Sequence, residues 1–132
     1  LEKQSEASLS AEGLVDIEQL LDITEDEPDR MQRIIELYLA QAIPMLDALE
    51  EAIQAKSGSE VARIAHKLVG SSLSCGVEAF TQPLRELERL GQEGDLIGAN
   101  PLFDDVRQKF PRVQKVLTRL ITHPSSLEVT IP

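Results

Sequence analysis

The stretch Ile64-Ala65-His66-Lys67-Leu68-Val69-Gly70-Ser71-Ser72, with Gly76 four residues beyond, decides how this chain is read. Projected at roughly 100° per residue with His66 at 0°, Val61, Ile64, Ala65, Leu68, Ser72 and Cys75 fall between about 160° and 260°. That is the buried stripe of an amphipathic helix. Ser59, Ala62, Arg63, Gly70 and Leu73 fall within about 60° of the histidine, so the spacing predicts that His66 is exposed. Gly70 stands one turn after it on the same face and leaves the neighbouring surface uncovered. A glycine inside a helix costs about 1 kcal/mol relative to alanine, so its place beside an exposed imidazole asks for a reason. Room for a bulky group to approach the ring is one.

Working outward, helical periodicity continues on both sides. Asp16 is a candidate cap for a short helix to Ile23, with Ile17, Leu20 and Leu21 on its apolar edge. Asp26 or Glu27 caps a second helix that opens with Pro28 and carries Met31, Ile34, Ile35, Tyr38, Ala42, Leu46, Leu49 and Ile53 at helical spacing to about Ala55. Pro44 inside it removes a backbone donor and is expected to kink it. Lys56 to Ser59, with Gly58, reads as a turn. The histidine helix then runs to about Ser74, and Gly76 can end it in a left-handed conformation.

A fourth helix is expected over roughly Val77 to Leu90, with Phe80, Leu84, Leu87 and Leu90 or Gly91 inward; Pro83 allows it to be two pieces. Asn100 and Pro101 read as cap and first residue of a fifth helix carrying Val106, Phe110, Val113, Leu117 and Leu120, bent at Pro111. Short connections between such helices predict an all-α, up-and-down antiparallel four-helix bundle with a short additional N-terminal helix. Residues 1–12 read as a linker, 13–121 as the bundle and 122–132 as a tail.

The chain has 132 residues, enough for one domain with one core. Three Phe, one Tyr and no Trp beside abundant Leu and Ile suit packed helices. A formal net charge of −10 argues against nucleic acid or an anionic membrane as partner. The single cysteine, Cys75, falls on the buried stripe, cannot form an internal disulfide and fits a reducing compartment. No apolar run approaches a membrane span, and a cytoplasmic location is expected. Leu1 in place of an initiator Met is read as the mark of a piece of something longer. Two distant histidines and one cysteine make no metal constellation, and no glycine-rich nucleotide loop is present. No cofactor is expected.

Ala65, His66, Leu68, Gly70, Ser71, Ser72 and Gly76 resemble the signature of histidine-containing phosphotransfer (HPt) domains of bacterial phosphorelays. The resemblance covers about residues 16–120, including the long second helix and the Leu87-Glu88 pair. It implies that His66 accepts a phosphoryl group from a receiver-domain aspartate and hands it to another, without ATP-dependent kinase activity of its own. It also implies receiver domains as partners and a parent such as a hybrid, membrane-anchored sensor kinase. The unprotonated nitrogen of a neutral imidazole is a competent nucleophile near neutral pH.

Family members often hold the other ring nitrogen with a glutamine on the next helix, and Glu88 stands near that place. One residue departs from the pattern: the lysine usually found three positions after the histidine is Val69. Arg63 and Lys67 lie on the opposite flank of the histidine and are candidates to reach a phosphoryl oxygen, Arg63 the better because it shares the face. Ala62 and Leu73, with Ile17 or Leu21 of the first helix, are expected to form a small apolar patch for a receiver. Two other readings stand beside this one. One is a helical adaptor that uses the same face without phosphate. The other is a domain loaded by a chemotaxis-type kinase.

Overall fold

Capping chemistry explains where the first helix starts. In the computed structural model, which describes residues 13–122, Asp16 accepts a hydrogen bond from the Gln19 amide at 2.9 Å and opens α1, Ile17–Ile23. Thr24 closes α1: its buried hydroxyl donates to the Leu20 carbonyl at 2.9 Å. Glu25 and Asp26 turn the chain with positive φ, and Glu27 rather than Asp26 holds the N-cap position of α2, Pro28–Gln54, without a side-chain hydrogen bond to the helix and with Pro28 in its first turn. α3, Gly58–Ser74, carries the histidine, followed by α4, Thr81–Glu93, and α5, Ala99–Thr122. The expected linker, His123 and the tail beyond residue 122 lie outside the described residues.

Boundaries of the last three helices differ from the sequence reading. Gly58 is the first residue of α3 rather than part of a turn. α4 begins at Thr81, four residues later than expected, because Val77 is taken by an isolated antiparallel bridge to Val15. It is one piece, with Pro83 in its first turn, where a missing amide leaves no helical bond unmade. α5 begins at Ala99, ahead of the Asn100-Pro101 pair, and includes Thr122, which the sequence reading gave to the tail. α2 and α5 run on through Pro44 and Pro111. Both prolines are exposed, so the carbonyls they leave unpaired, at exposed Ala40 and Arg107, open to water.

The four long helices pack in a ring, α2 on α3, α3 on α4, α4 on α5 and α5 back on α2. This is the expected four-helix bundle. Its core includes Ile35, Leu49, Leu68, Leu84, Leu87, Val106 and Leu117, all essentially without solvent exposure. Phe80, just ahead of α4, stacks on Phe110 of α5 with centroids 6.2 Å apart. A buried hydrogen bond of 2.8 Å joins Tyr38 of α2 to Ser72 of α3, and burial pushes the Tyr38 phenol well above its ordinary pKa.

The short helix is tied to the far end of the histidine helix. Gly76, at φ +72°, accepts from the Asp16 amide at 2.7 Å, and the Glu78 and Ala79 amides both donate to the Leu14 carbonyl. A Cβ at Gly76 would stand 2.8 Å from the Asp16 carbonyl oxygen, so glycine is required by both conformation and space. This clamp sets α1 against the bundle. Leu20 is fully buried, and Ile17 and Leu21, expected to be exposed, are half-buried and packed on the core.

Candidate functional site

α3 and α4 approach each other through glycine. A Cβ at Gly91 would lie 2.5 Å from the Gly58 carbonyl oxygen and 2.7 Å from the Ala62 amide nitrogen, and a Cβ at Gly58 would lie 2.7 Å from the Gly91 carbonyl oxygen. The backbones therefore touch where a side chain on either helix would hold them apart. Gly58, Ala62 and His66 are spaced four apart on one face of α3, while Glu88 stands three residues before Gly91. The glycine crossing thus delivers Glu88 to the level of His66.

The result is a polar pair at the rim of the groove. Glu88 Oε2 lies 2.9 Å from His66 Nδ1, with the imidazole side chain 76% exposed and the carboxylate 20% exposed. An ionised carboxylate only accepts, so the hydrogen bond places the proton on Nδ1 and leaves the Nε2 lone pair free. Gln92, one turn further along α4, donates to the same Glu88 oxygen at 3.5 Å, a long contact that adds little. Beyond the histidine, nothing lies within 4 Å of where a Cβ would stand at Gly70. The surface there is open.

The remaining expected site residues divide. Arg63 is exposed, but both its Nε and Nη2 are engaged by Glu60, at 3.1 and 2.8 Å. That pairing raises the guanidinium pKa and lowers that of the Glu60 carboxyl. Lys67 is exposed on the flank away from α4, and its carbonyl accepts from the Ser71 hydroxyl at 3.1 Å. Val69 is buried. Ala62 is half-buried against Gly91, so it serves the helix crossing rather than an outer patch, and Leu73 is half-buried and packed on the core. The exposed large apolar side chains nearest the end of the histidine helix are Ile23 and Leu37, 39% and 60% exposed. They border a shallow groove with Gln41, Ser71 and Ser74.

Sequence reasoning missed Gly58, as a partner of Gly91, and Gln92. The signal for the first was present as small residues at Gly58 and Ala62, eight and four positions before the histidine. Among the described residues no group of His, Cys, Asp and Glu is arranged to hold a metal ion, and no helix is long and apolar enough to cross a membrane.

No curated protein and no solved structure matches the chain. A family model does: the Hpt domain model matches residues 33–123, more than two thirds of the sequence. The match takes in almost all of α2 and the whole of α3, α4 and α5, hence His66, Gly70 and Glu88, and leaves out α1. Hpt domains act as phosphocarriers, generally without kinase activity, and interact with receiver domains. An all-helical bundle, an exposed imidazole on its rim and the family match agree, and the chain belongs to the Hpt domain family, the histidine phosphotransfer modules of two-component phosphorelays.

Proposed function

We propose that His66 is the phosphoacceptor and that the domain relays a phosphoryl group between the aspartates of two receiver domains. The 2.9 Å contact between Glu88 Oε2 and His66 Nδ1, beneath an exposed ring, is the observation that carries this reading. The Nε2 lone pair attacks the phosphorus of an aspartyl phosphate, the N–P bond forms, and the O–P bond breaks to release the receiver's carboxylate. Nδ1 keeps its proton throughout, so the ring becomes a cation and the Glu88 carboxylate faces the charge as it develops. Transfer to the second receiver reverses these steps. Gly70 leaves clearance for the approaching aspartyl phosphate, and the groove bordered by Ile23 and Leu37 offers apolar surface for the receiver's body. Such a transient interface needs only modest area.

The test is acid-labile labelling from phosphorylated receivers. The wild-type chain takes up phosphate on His66, while His66→Gln takes up none and still binds the receiver. Glu88→Gln retains an acceptor for Nδ1 and loses less rate than Glu88→Ala, which falls by about 10-fold or more, as partners that orient a reacting histidine commonly cost. A wild-type chain that no phosphorylated receiver labels would sink the proposal and favour a helical adaptor.

A further inference from the structure

The site has a charge problem that the bundle solves from an unexpected side. Phosphorylation brings an anion next to the Glu88 carboxylate, and the position three residues after the histidine is a buried valine. The cationic ring between them offsets part of the repulsion between these like charges, and a cation on the outer side of the phosphoryl group would offset more.

The neighbouring bases are not equally available. Arg63 is held by both oxygens of Glu60. Arg89 is held by Glu86 and Glu93, which raise its pKa further. Lys67 points to the flank away from α4. Arg85 is different. It is exposed, it makes no hydrogen bond or ion pair among the described residues, and it sits on α4 three positions before Glu88. Residues so spaced have Cβ atoms about 5–6 Å apart on one helix face.

The antiparallel register fixes its level. Ala62 lies opposite Gly91 and His66 opposite Glu88, so one turn further along α3, at the level of Gly70, the groove between the two helices is bordered by the turn of α4 that carries Arg85. We propose that Arg85 reaches across this groove to bind the phosphoryl oxygens on His66, supplying from α4 the positive charge that Val69 cannot supply from α3. A guanidinium suits the task because its planar fork can hold two phosphoryl oxygens at once. The inference rests on His66 being the phosphoacceptor.

The test compares Arg85→Ala, Arg85→Lys and Lys67→Ala in the full chain, with circular dichroism to verify the fold. Uptake from a phosphorylated receiver and the 31P titration of the phosphohistidine are followed together. Arg85→Ala slows uptake by about 3- to 10-fold, the range of one exposed charge-assisted hydrogen bond. It also moves the second ionisation of the phosphoryl group to higher pH, because the dianion loses its cation. Arg85→Lys restores most of both effects, and Lys67→Ala leaves both near wild type. A labelled wild type whose Arg85→Ala variant matches it in rate and titration overturns this inference alone, as does Lys67→Ala taking the loss. A wild type that takes no label overturns the carrier reading, and this inference with it.

Discussion

Two glycines of α3 flank His66 and do opposite things. Gly58, two turns before the histidine, is closed: a Cβ there would meet the Gly91 backbone at 2.7 Å. Gly70, one turn after it, is open, with nothing within 4 Å of a Cβ. At the first, the missing side chain lets another helix of the same chain come close. At the second, it keeps a place clear for something that is not part of the chain. An α-helical glycine is therefore uninformative until its surroundings are known, and the contrast separates what builds the site from what uses it.

Gly91→Ala strikes the closed side and carries the largest expected effect. Its Cβ would stand 2.5 Å from the Gly58 carbonyl oxygen and 2.7 Å from the Ala62 amide, and backbone cannot swing aside as the end of a side chain can. The helices must part, at a cost of about 1–3 kcal/mol by analogy with overpacked cores. Because Glu88 sits one turn away, the contact to His66 Nδ1 should loosen as well. Chemical denaturation gives the first quantity, and the imidazole nitrogen shifts in 15N NMR give the second. Unchanged stability would mean that the crossing is not closed.

Cys75 extends the contrast to the end of the histidine helix. It is almost wholly buried, and burial pushes its thiol from 9.0 up to about 12. The folded chain keeps a proton that the unfolded chain gives up near 9. The stabilisation linked to this thiol is complete below that pH and drains away as pH rises towards 12. Unfolding experiments between pH 8 and 10 should show a loss of roughly 1 kcal/mol from this group, absent in Cys75→Ala. Iodoacetamide should leave the native thiol almost untouched at pH 8. Ready alkylation without unfolding would show that this end of α3 is open too.

The sequence was legible wherever a local rule had no distant competitor. The apolar repeat from Met31 to Ile53 describes α2 as it is, and Asp16 caps α1 by the bond its side chain predicts. His66 is exposed as its projection requires. Val77 follows the helical pattern yet pairs with Val15, some 60 residues earlier, a choice invisible to any window of the chain. Ile17 and Leu21 lose their expected exposure to the same clamp. Ala62 shares a face with His66 but is taken by a glycine on another helix. Arg63 was the better cation by angle alone, and its competitor was in plain view: Glu60, three residues back, is where a helix puts an ion-pair partner. Val69 marks the departure from the family, but only the register of α4 against α3, set by Gly91 at Ala62 and Glu88 at His66, points to the level of Arg85.

Gly70→Ala is the smallest change and the one that separates the two glycines most cleanly. Nothing in the bundle meets the added methyl group, so the variant keeps its contacts and gains alanine's preference for helix, about 0.5–1 kcal/mol. A denaturation midpoint should move upward, opposite in sign to Gly91→Ala. If the clearance at Gly70 admits a phosphorylated receiver, the same methyl group slows phosphoryl uptake while it stabilises the fold, and Gly70→Phe stops uptake with His66 and Glu88 still in contact. A site residue that lowers stability and raises rate is the signature of a surface shaped for a partner rather than for its own core. Should Gly70→Ala and Gly70→Phe both label at the wild-type rate, the open glycine has no use in transfer, and the receiver must approach His66 from the side of α4.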